Sequence, residues 1–532
     1  MDETPKNANK QIARAAIITM AGFVLSIATN LFRTSLSASY FGAGFEYDAY
    51  NVANKIPDLI FSLVAGGALA SAFIPTLTIF WEKKDRKGGW ELISAVINLV
   101  TLVLIALCGV SWFFAPQIIS LISPGLESSH TVLAAELLQI MLFAPIVFGI
   151  SGLIMGVLNT HQKFFLTALA PTMLWTGMII GQVFLAPSMG IHGLAWGYLL
   201  GAFLHLLIQL PGIFKLRNSA YKFTLGLNIP AVREVGQLMA PRLFGVAVVQ
   251  VNNLVNVFVA SYLMEGSISA LNIAFGLMLM PQRVIAQAIS IAALPTFSSQ
   301  YAQGKLVELR SSLASSLRAI IFIAIPATMG LILLRKPIIS LLFERNNFSS
   351  YDTEMVGWVL LWYSIGLVGH SLVEILSRAF YALHDTKTPV IVGSLVMGLN
   401  VLLSLTLPGM FENWGWIPVG GLALANTIAT SLEMVALIIL MKRRLEGIRG
   451  KFLMSGALKS AVSAFLMSLA IILWGNYALQ ISILFSTLIG IGLGLIVYGS
   501  CMVLLKVPEV KIIIEMVSSR LRRGKDVNNN GE

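Results

Sequence analysis

Charged residues inside long apolar runs are where this sequence could do chemistry. Arg33, Lys55, Arg242, Arg283, Arg318, Arg378 and Lys459 each interrupt such a run. A charge near the centre of a bilayer costs about 2.5–3.5 kcal/mol on insertion scales, so it faces a partner or a water-filled cavity. A long side chain near the end of a helix can instead snorkel to the headgroups. Arg242, Arg318 and Lys459 stand within about two turns of a basic helix end and are read as snorkelling. Arg33 lies about 28 Å from Arg14 along a helix, and both readings stay open for it. Lys55 is followed by Pro57 and by Asp58. It is read either as an i,i+3 ion pair or as part of a proline-distorted helix that shows polar groups to a cavity. Arg283, after Pro281, sits too deep to snorkel comfortably, which favours a cavity. His370, Glu374 and Arg378 share one helical face. Glu374 precedes Arg378 in the order that favours an intrahelical ion pair, and the same stripe could relay protons or cations. This is the chemistry of binding and moving charge rather than of breaking bonds.

Enzyme signatures are missing from the sequence. It contains no G-x-x-x-x-G-K-[ST] phosphate loop, no H-E-x-x-H and no G-x-S-x-G elbow. Its 6 histidines do not cluster, and most connectors are too short to carry catalytic loops. Cys108 and Cys501 fall inside apolar runs without metal-ligand spacing and read as core residues. The reading is therefore a transporter with no cofactor and no metal, apart from a possible coupling ion of unknown identity. The formal charge of +11 would suggest nucleic acid in a soluble protein. No basic patch is interleaved with exposed aromatics, so membrane lipids are the counter-charge and nucleic acid is not a partner.

The elements that must position these charges are transmembrane helices. About fourteen apolar stretches are long enough to cross a bilayer, each needing roughly 20 residues. They run approximately over 15–39, 49–80, 91–114, 134–157, 164–186, 191–213, 235–263, 270–297, 313–334, 355–382, 388–408, 417–441, 453–475 and 480–505. Arginine and lysine concentrate in alternate connectors and in the two ends of the chain. Only Arg335, Lys336 and Arg345 fall on the opposite side. The positive-inside rule then puts both termini in the cytoplasm. At 57% hydrophobic and 11% charged residues, too little polar surface remains to cover a soluble globule. The first apolar stretch runs on into further spans, so it reads as a retained helix rather than a cleaved signal.

The first twelve spans contain an internal repeat at an offset of about 220–228 residues. Ala49-x-Asn51-x-Ala53 leading to Pro75 is echoed by Ala270-x-Asn272-x-Ala274 leading to Pro295. Leu137-Leu138 with His161 recurs as Leu360-Leu361 with His384, and Gly193-Leu194-Ala195 as Gly421-Leu422-Ala423. Six spans per copy is an even number, so both copies have the same orientation, related by a pseudo-twofold axis along the membrane normal. The expected fold is all-α and integral to the membrane. It has six-helix lobes at 1–222 and 223–450, a two-helix hairpin at 451–506 and a basic cytoplasmic tail at 507–532. Two such lobes would enclose a central cavity and work by alternating access.

Several motifs carry a family resemblance. Phe41-Gly42-Ala43-Gly44, Asp48-Ala49, Lys55-Ile56-Pro57-Asp58-Leu59 and Ala72-Phe73-Ile74-Pro75 resemble the opening of the MurJ/MviN family. Leu341-Leu342-Phe343-Glu344-Arg345, Phe348 and Asp352-Thr353 resemble a later segment of it. Arg378-Ala379-Phe380-Tyr381-Ala382-Leu383 with Asp385-Thr386-Lys387-Thr388-Pro389 is the most specific match. These proteins are lipid II flippases of the multidrug/oligosaccharidyl-lipid/polysaccharide exporter superfamily. The resemblance implies a bacterial cytoplasmic-membrane protein. Its substrate would be the undecaprenyl-pyrophosphate-linked peptidoglycan precursor, flipped from the inner to the outer leaflet. A cationic cavity would hold the pyrophosphate, and the final hairpin would hold the lipid tail.

Under this resemblance the cavity candidates are Arg33, Asp48, Lys55, Asp58 and Arg283. Arg33, Lys55 and Arg283 would attract the pyrophosphate, while Asp48 and Asp58 would balance them in the empty state. Ile27, Phe61, Gly66 and Gly276 stand where other members carry further charges, which makes this cavity less cationic. Two alternatives stay open: a flippase or exporter of another lipid-linked glycan or amphiphile, and a transport-dead scaffold for cell-wall synthesis. Cell-wall synthesis or division proteins are the implied protein partners.

Overall fold

A computed structural model describes residues 5–64, 68–161, 163–216, 221–478 and 481–507, and within them the chain is helical between short connectors. Gly66 and the tail beyond 507 lie outside the described residues. The chain divides into two compact units. Unit 1 is Met1–Asn272 with Phe343–Asp352, and unit 2 is Ile273–Leu342 with Thr353–Glu532.

Unit 1 holds α1 (Pro5–Phe41), α2 (Phe45–Val64), α3 (Ala68–Glu82), α4 (Arg86–Phe113), α5 (Ala115–Ile122), α6 (Ser128–Met141), α7 (Phe143–Thr160) and α8 (Phe164–Ile180). It continues with α9 (Ala186–Met189), α10 (His192–Leu207), α11 (Leu210–Phe214), α12 (Pro230–Ser261) and the first turns of α13 (Ser267–Gln282). Unit 2 holds the rest of α13, then α14 (Ala288–Ala302), α15 (Leu306–Phe343) up to Leu342, and α16 (Ser350–Ile365) from Thr353. It ends with α17 (Leu367–Ala382), α18 (Lys387–Asn413), α19 (Val419–Arg444), α20 (Gly450–Tyr477) and α21 (Ile483–Leu504). Wide π-turns at Gly181–Leu185 and Arg283–Gln287 join α8 to α9 and α13 to α14.

Among the described residues, 9 helices are long and apolar enough to cross a membrane, or 10 if the pair α16–α17, bent by 45° at Gly366, is one span. These match the expected spans from 91–114 to 191–213 and from 313–334 to 480–505. The spans expected at 15–39, 49–80, 235–263 and 270–297 include residues or side chains outside the description. Their described backbone is helical, with the third ending at Ser261. Outward faces remain strongly apolar, as at Phe113 (71% exposed), Leu395 (71%) and Leu495 (69%). A bilayer covers such surface, whereas water does not tolerate it over whole helices.

The sequence repeat has a structural echo inside each unit. The fourth span breaks at Leu142, between α6 and α7, and the tenth breaks at Gly366. Trp81 meets His161 edge-on with ring centroids 5.2 Å apart, and Tyr301 meets His384 at 6.1 Å. Lys84 (φ +58°) and Gly304 (φ +69°) make the same left-handed turn before α4 and α15.

Packing within unit 1 is tightest where α8 crosses α10. A Cβ at Gly177 would lie 2.3 Å from the Cα of Gly201, and one at Gly181 would lie 2.4 Å from the Cα of Gly197. Water expulsion does not drive helices together inside lipid, so close backbone approach of small residues supplies the contact instead. In unit 2 the hairpin of α20 and α21 is held by polar bonds at its ends: Trp474 Nε1 donates to the Ser486 carbonyl (2.9 Å) and Lys459 Nζ to the Leu505 carbonyl (2.9 Å). Lys459 thus caps a helix C-terminus. Tyr498 Oη bonds Ser460 and donates to the Phe322 carbonyl at 2.6 Å, docking the hairpin on α15.

Arg318 departs from the snorkelling reading. It is 4% exposed, with Cζ 4.1 Å from the Phe452 ring centroid and 5.2 Å from that of Phe322. A side chain at Gly456 would collide with it, so that glycine makes its room. Overpacking a fitted contact costs about 1–3 kcal/mol. Gly177→Leu or Gly197→Leu is therefore expected to lower the melting temperature of the detergent-solubilised protein by several degrees, and unchanged melting would show that the α8–α10 crossing is dispensable.

Candidate functional site

The polar face of α2 meets the start of α13 within unit 1. Asp48, Asn51 and Lys55 follow helical spacing and all turn toward the first turns of α13. Asp48 is 4% exposed; its Oδ2 accepts from the Gly266 backbone N–H (2.8 Å) and its Oδ1 from that of Ser269 (2.7 Å). The first N–H groups of a helix have no partner within it, and a carboxylate there also meets the positive end of the helix dipole. Glu265 returns the contact, its Oε1 accepting from the Phe45 N–H at the start of α2 (2.8 Å). The two helices therefore cap each other. Deeper along α2, Asn51 Nδ2 donates to Ser269 Oγ (3.1 Å) and Lys55 Nζ to Asn272 Oδ1 (3.2 Å).

Asp58 takes a different direction. Its Oδ2 accepts from Asn54 Nδ2 (2.8 Å) and its Oδ1 from the Tyr198 hydroxyl of α10 at 3.4 Å. Among the described ion pairs none joins Lys55 to Asp58 directly. The two side chains instead border one cleft of about 190 Å³, with Leu59, Ser62 and, from α12, Gln250, Asn253 and Leu254. A cation held by a neutral amide beside polar groups keeps its charge available to an anion.

The structure brings Asp48, Lys55 and Asp58 onto one helix and does not bring Arg33 into their cleft. Arg33 Nη2 donates to Asn30 Oδ1 and Thr34 Oγ1, both at 3.1 Å, and its Cζ lies 5.4 Å from the Trp175 ring centroid. It has no acidic partner among the described residues. Arg283 belongs to unit 2, on the π-turn after α13, where it is exposed and unpaired among the described residues. Extra turns of this kind inside helices are frequent at functional positions. In the stripe on α17, Glu374 Oε1 accepts from Arg378 Nη2 (2.8 Å) and Nε (3.0 Å), forming the intrahelical ion pair. His370 leaves that pair and bonds Asn426 Oδ1 of α19 through Nε2 at 3.0 Å. No three His, Cys, Asp or Glu residues among those described are placed to hold a metal ion.

Two contacts escaped sequence reasoning. Residues 343–352 return to unit 1, where Arg345 Nη2 donates to Ser35 Oγ (2.7 Å) and Asn346 Nδ2 to Ser39 Oγ (2.8 Å) at the end of α1. Gly42 (φ +63°) leaves room for the Asn347 carbonyl there. Asn272, the partner of Lys55, had been visible only as a member of the repeat. Among the positions that lack the further charges, Phe61 packs on Phe148 at 5.3 Å, and a side chain at Gly276 would meet open space.

The family model described as lipid II flippase MurJ matches residues 37–492. The chain belongs to that family. A lipid II flippase MurJ of Burkholderia cenocepacia is 32% identical over 449 residues, covering 81% of this chain and 84% of the relative. A probable lipid II flippase MurJ of Thermotoga maritima is 29% identical over 496 residues, covering 93% and 96%. A solved structure of lipid II flippase MurJ in an inward closed conformation has a TM-score of 0.78 at 29% identity, covering 92% of this chain and 99% of that one. An inward-facing MATE-family multidrug transporter of the MOP superfamily reaches a TM-score of 0.67 at 15% identity, a likeness of fold alone. The MurJ family is one of transporters rather than enzymes, and this member is a multi-pass membrane protein.

Removing the Asp48 carboxylate leaves buried backbone donors unpaired, which costs about 1–3 kcal/mol. Asp48→Ala should destabilise the protein by that order and Asp48→Asn by less; equal melting of both variants and the parent would refute the capping role. The family motif at 385–389 gives a pH-dependent counterpart outside the membrane spans. Thr388 donates its backbone N–H (3.0 Å) and its hydroxyl (2.7 Å) to Asp385, and these bonds hold that carboxyl below its ordinary value. Its contribution to stability is complete above the ordinary aspartate value of about 3.9 and is lost as pH falls through the lower folded value. The stability gap between the parent and Asp385→Ala should accordingly close on acidification, and a gap constant with pH would exclude an ionised cap.

Proposed function

We propose that this chain is a lipid II flippase. It moves the headgroup of the undecaprenyl-pyrophosphate-linked peptidoglycan precursor from the inner to the outer leaflet by alternating access. Family membership sets the substrate class. The observation that carries the reading in the geometry is Lys55, which borders a polar cleft while bonded to the neutral amide of Asn272 rather than to a carboxylate. A pyrophosphate is a dense anion whose water must be replaced as the headgroup enters a low-dielectric space, and unneutralised cations do this best. Arg33, paired with no acid among the described residues, offers a second such cation in unit 1, and Arg283 offers one in unit 2. Asp48 is bonded to backbone donors and Asp58 to Asn54 and Tyr198; Asp58 borders the same cleft as Lys55 and offsets part of its charge without an ion pair.

The sequence contains no ATP-binding phosphate loop, so the energy comes from an ion gradient, the membrane potential or removal of the product. A potential of 100 mV is worth about 2.3 kcal/mol per charge moved, enough to bias such a cycle. Pro57, Pro281 and Pro295 lie within helices and are the bending points of this reading. The lobes at 1–222 and 223–450, the lipid-tail hairpin at 451–506 and the cytoplasmic placement of both termini are parts of the same proposal. Delivery to the outer leaflet implies cell-wall synthesis enzymes or division proteins as partners there.

The test is replacement of the endogenous lipid II flippase of a bacterial host by this chain, with lipid II scored as it reaches the outer leaflet. Growth with outward lipid II is expected. Arg33→Ala and Arg283→Ala should each lower transport about tenfold, the order of one lost charge-assisted hydrogen bond, without preventing membrane insertion. Full transport by both variants would remove the arginines from the pyrophosphate site. No rescue by inserted, folded protein would move the assignment to another lipid-linked glycan or to a scaffold.

A further inference from the structure

A second cleft lies in unit 1 on the connector side of α3, α4 and α7, away from the polar face of α2. It encloses about 300 Å³ and is lined by Trp81, Lys84, Arg86, Trp90, Thr160, His161 and Leu216. Neither Lys84 nor Arg86 has an ion pair among the described residues, and Glu82 and Glu91 do not line the cleft. Asp85, between the two cations, is already used: its Oδ1 accepts from the Gly88 N–H (2.9 Å) and caps α4. The Trp81 ring is wedged against Gly89, where a methyl group would stand 2.9 Å away, and its indole N–H has no acceptor among the described residues. Two cations, a hydroxyl, an imidazole and two indoles thus border one space that, among the described residues, no carboxylate lines.

The internal repeat shows that the turn itself does not require these cations. In unit 2 the matching turn places Gly304 where unit 1 has Lys84, and Leu306 where it has Arg86. Tyr301 and His384 still meet there, as Trp81 and His161 do in unit 1. Gly304 makes its left-handed turn (φ +69°) without strain, whereas Lys84 makes the same turn (φ +58°) with a side chain that disfavours it. Nearby cations in unit 2 are neutralised, Lys305 by Glu308 and Arg310 by Glu446. A strained lysine and an unpaired arginine, present in one copy of a turn and absent from the other, have a use other than making the turn.

We propose that this cleft is a phosphate-binding site, distinct from the transport site and independent of which lipid is carried. Its ligand is a phosphate group, held by Lys84 and Arg86; the Thr160 hydroxyl (2.7 Å) and His161 Nδ1 (2.9 Å) already bond the Val157 carbonyl, so the two cations carry the binding. Trp81 and Trp90 flank it at the ends of adjoining spans, the depth at which tryptophan marks a membrane–water interface. The phosphate is carried by an anionic phospholipid headgroup or by a soluble phosphate.

The test uses the full chain in nanodiscs and the double variant Lys84→Gly with Arg86→Leu, which installs the residues of the matching turn. Titration of phosphatidylglycerol into phosphatidylcholine nanodiscs, read by native mass spectrometry as lipid retained per protein, forms one arm. Inorganic pyrophosphate binding by calorimetry forms the other. At least a tenfold weakening in the variant is expected in one arm: loss of retained phosphatidylglycerol alone assigns the site to a lipid headgroup, and loss of pyrophosphate binding assigns it to a soluble phosphate. Lys84→Gly alone should weaken binding in the same arm while raising the melting temperature, which separates lost affinity from misfolding. Equal binding by parent and variants in both arms overturns the proposal.

Discussion

A polar group inside a bilayer has no water to fall back on, and the arrangement of unit 1 follows from that constraint. Asp48 would be prohibitively costly in a lipid-facing helix. It is tolerated because the unpaired N–H groups at the start of α13 need an acceptor just there. Glu265 does the same for the start of α2. Once the helices are clasped in this way, Asn51 and Lys55 have their partners set by helical spacing alone. Among the described residues neither Lys55 nor Arg33 of this unit forms an ion pair, and the Lys55 ammonium borders a polar cleft that it shares with Asp58. Structure and chemistry are therefore two aspects of one arrangement: the bonds that make the charges affordable also decide which charge stays open to a ligand.

The same logic separates the other intramembrane charges by role. Arg378 is satisfied on its own helix by Glu374. Arg318 is enclosed by Phe322 and Phe452, with Gly456 making the space, and Lys459 closes a helix end. These three are structural. Arg33 is held by neutral groups and an indole face, and Arg283 lies open on a π-turn; both retain their charge for something that arrives.

Much of the architecture was legible in the sequence because long apolar runs and alternating basic connectors are local signals. The duplication was legible because Asn51 and Asn272, or His161 and His384, recur in order. Tertiary partnerships were not. Spacing offered Asp58 to Lys55, yet Lys55 reaches Asn272, because the approach of α13 to α2 is not written in either segment. The break at Gly366 was hidden for a similar reason: an apolar run reads as one helix whether or not it bends. Arg318 looked like a snorkelling residue because nothing local reveals Phe452, far along the chain, as its cover. The most informative motif, Asp385 to Pro389, was recognisable through family likeness, and its physical content is a cap on α18 that spacing alone would have allowed.

The central claim is that this chain carries a pyrophosphate-linked lipid across the bilayer using cations left unneutralised inside it. Purified protein in liposomes loaded with headgroup-labelled lipid II tests it most directly, with a membrane-impermeant quencher reporting the labelled headgroup as it changes leaflet. The account predicts protein-dependent translocation that falls sharply in Lys55→Ala. Translocation no faster than in protein-free vesicles, or undiminished in Lys55→Ala, would contradict it.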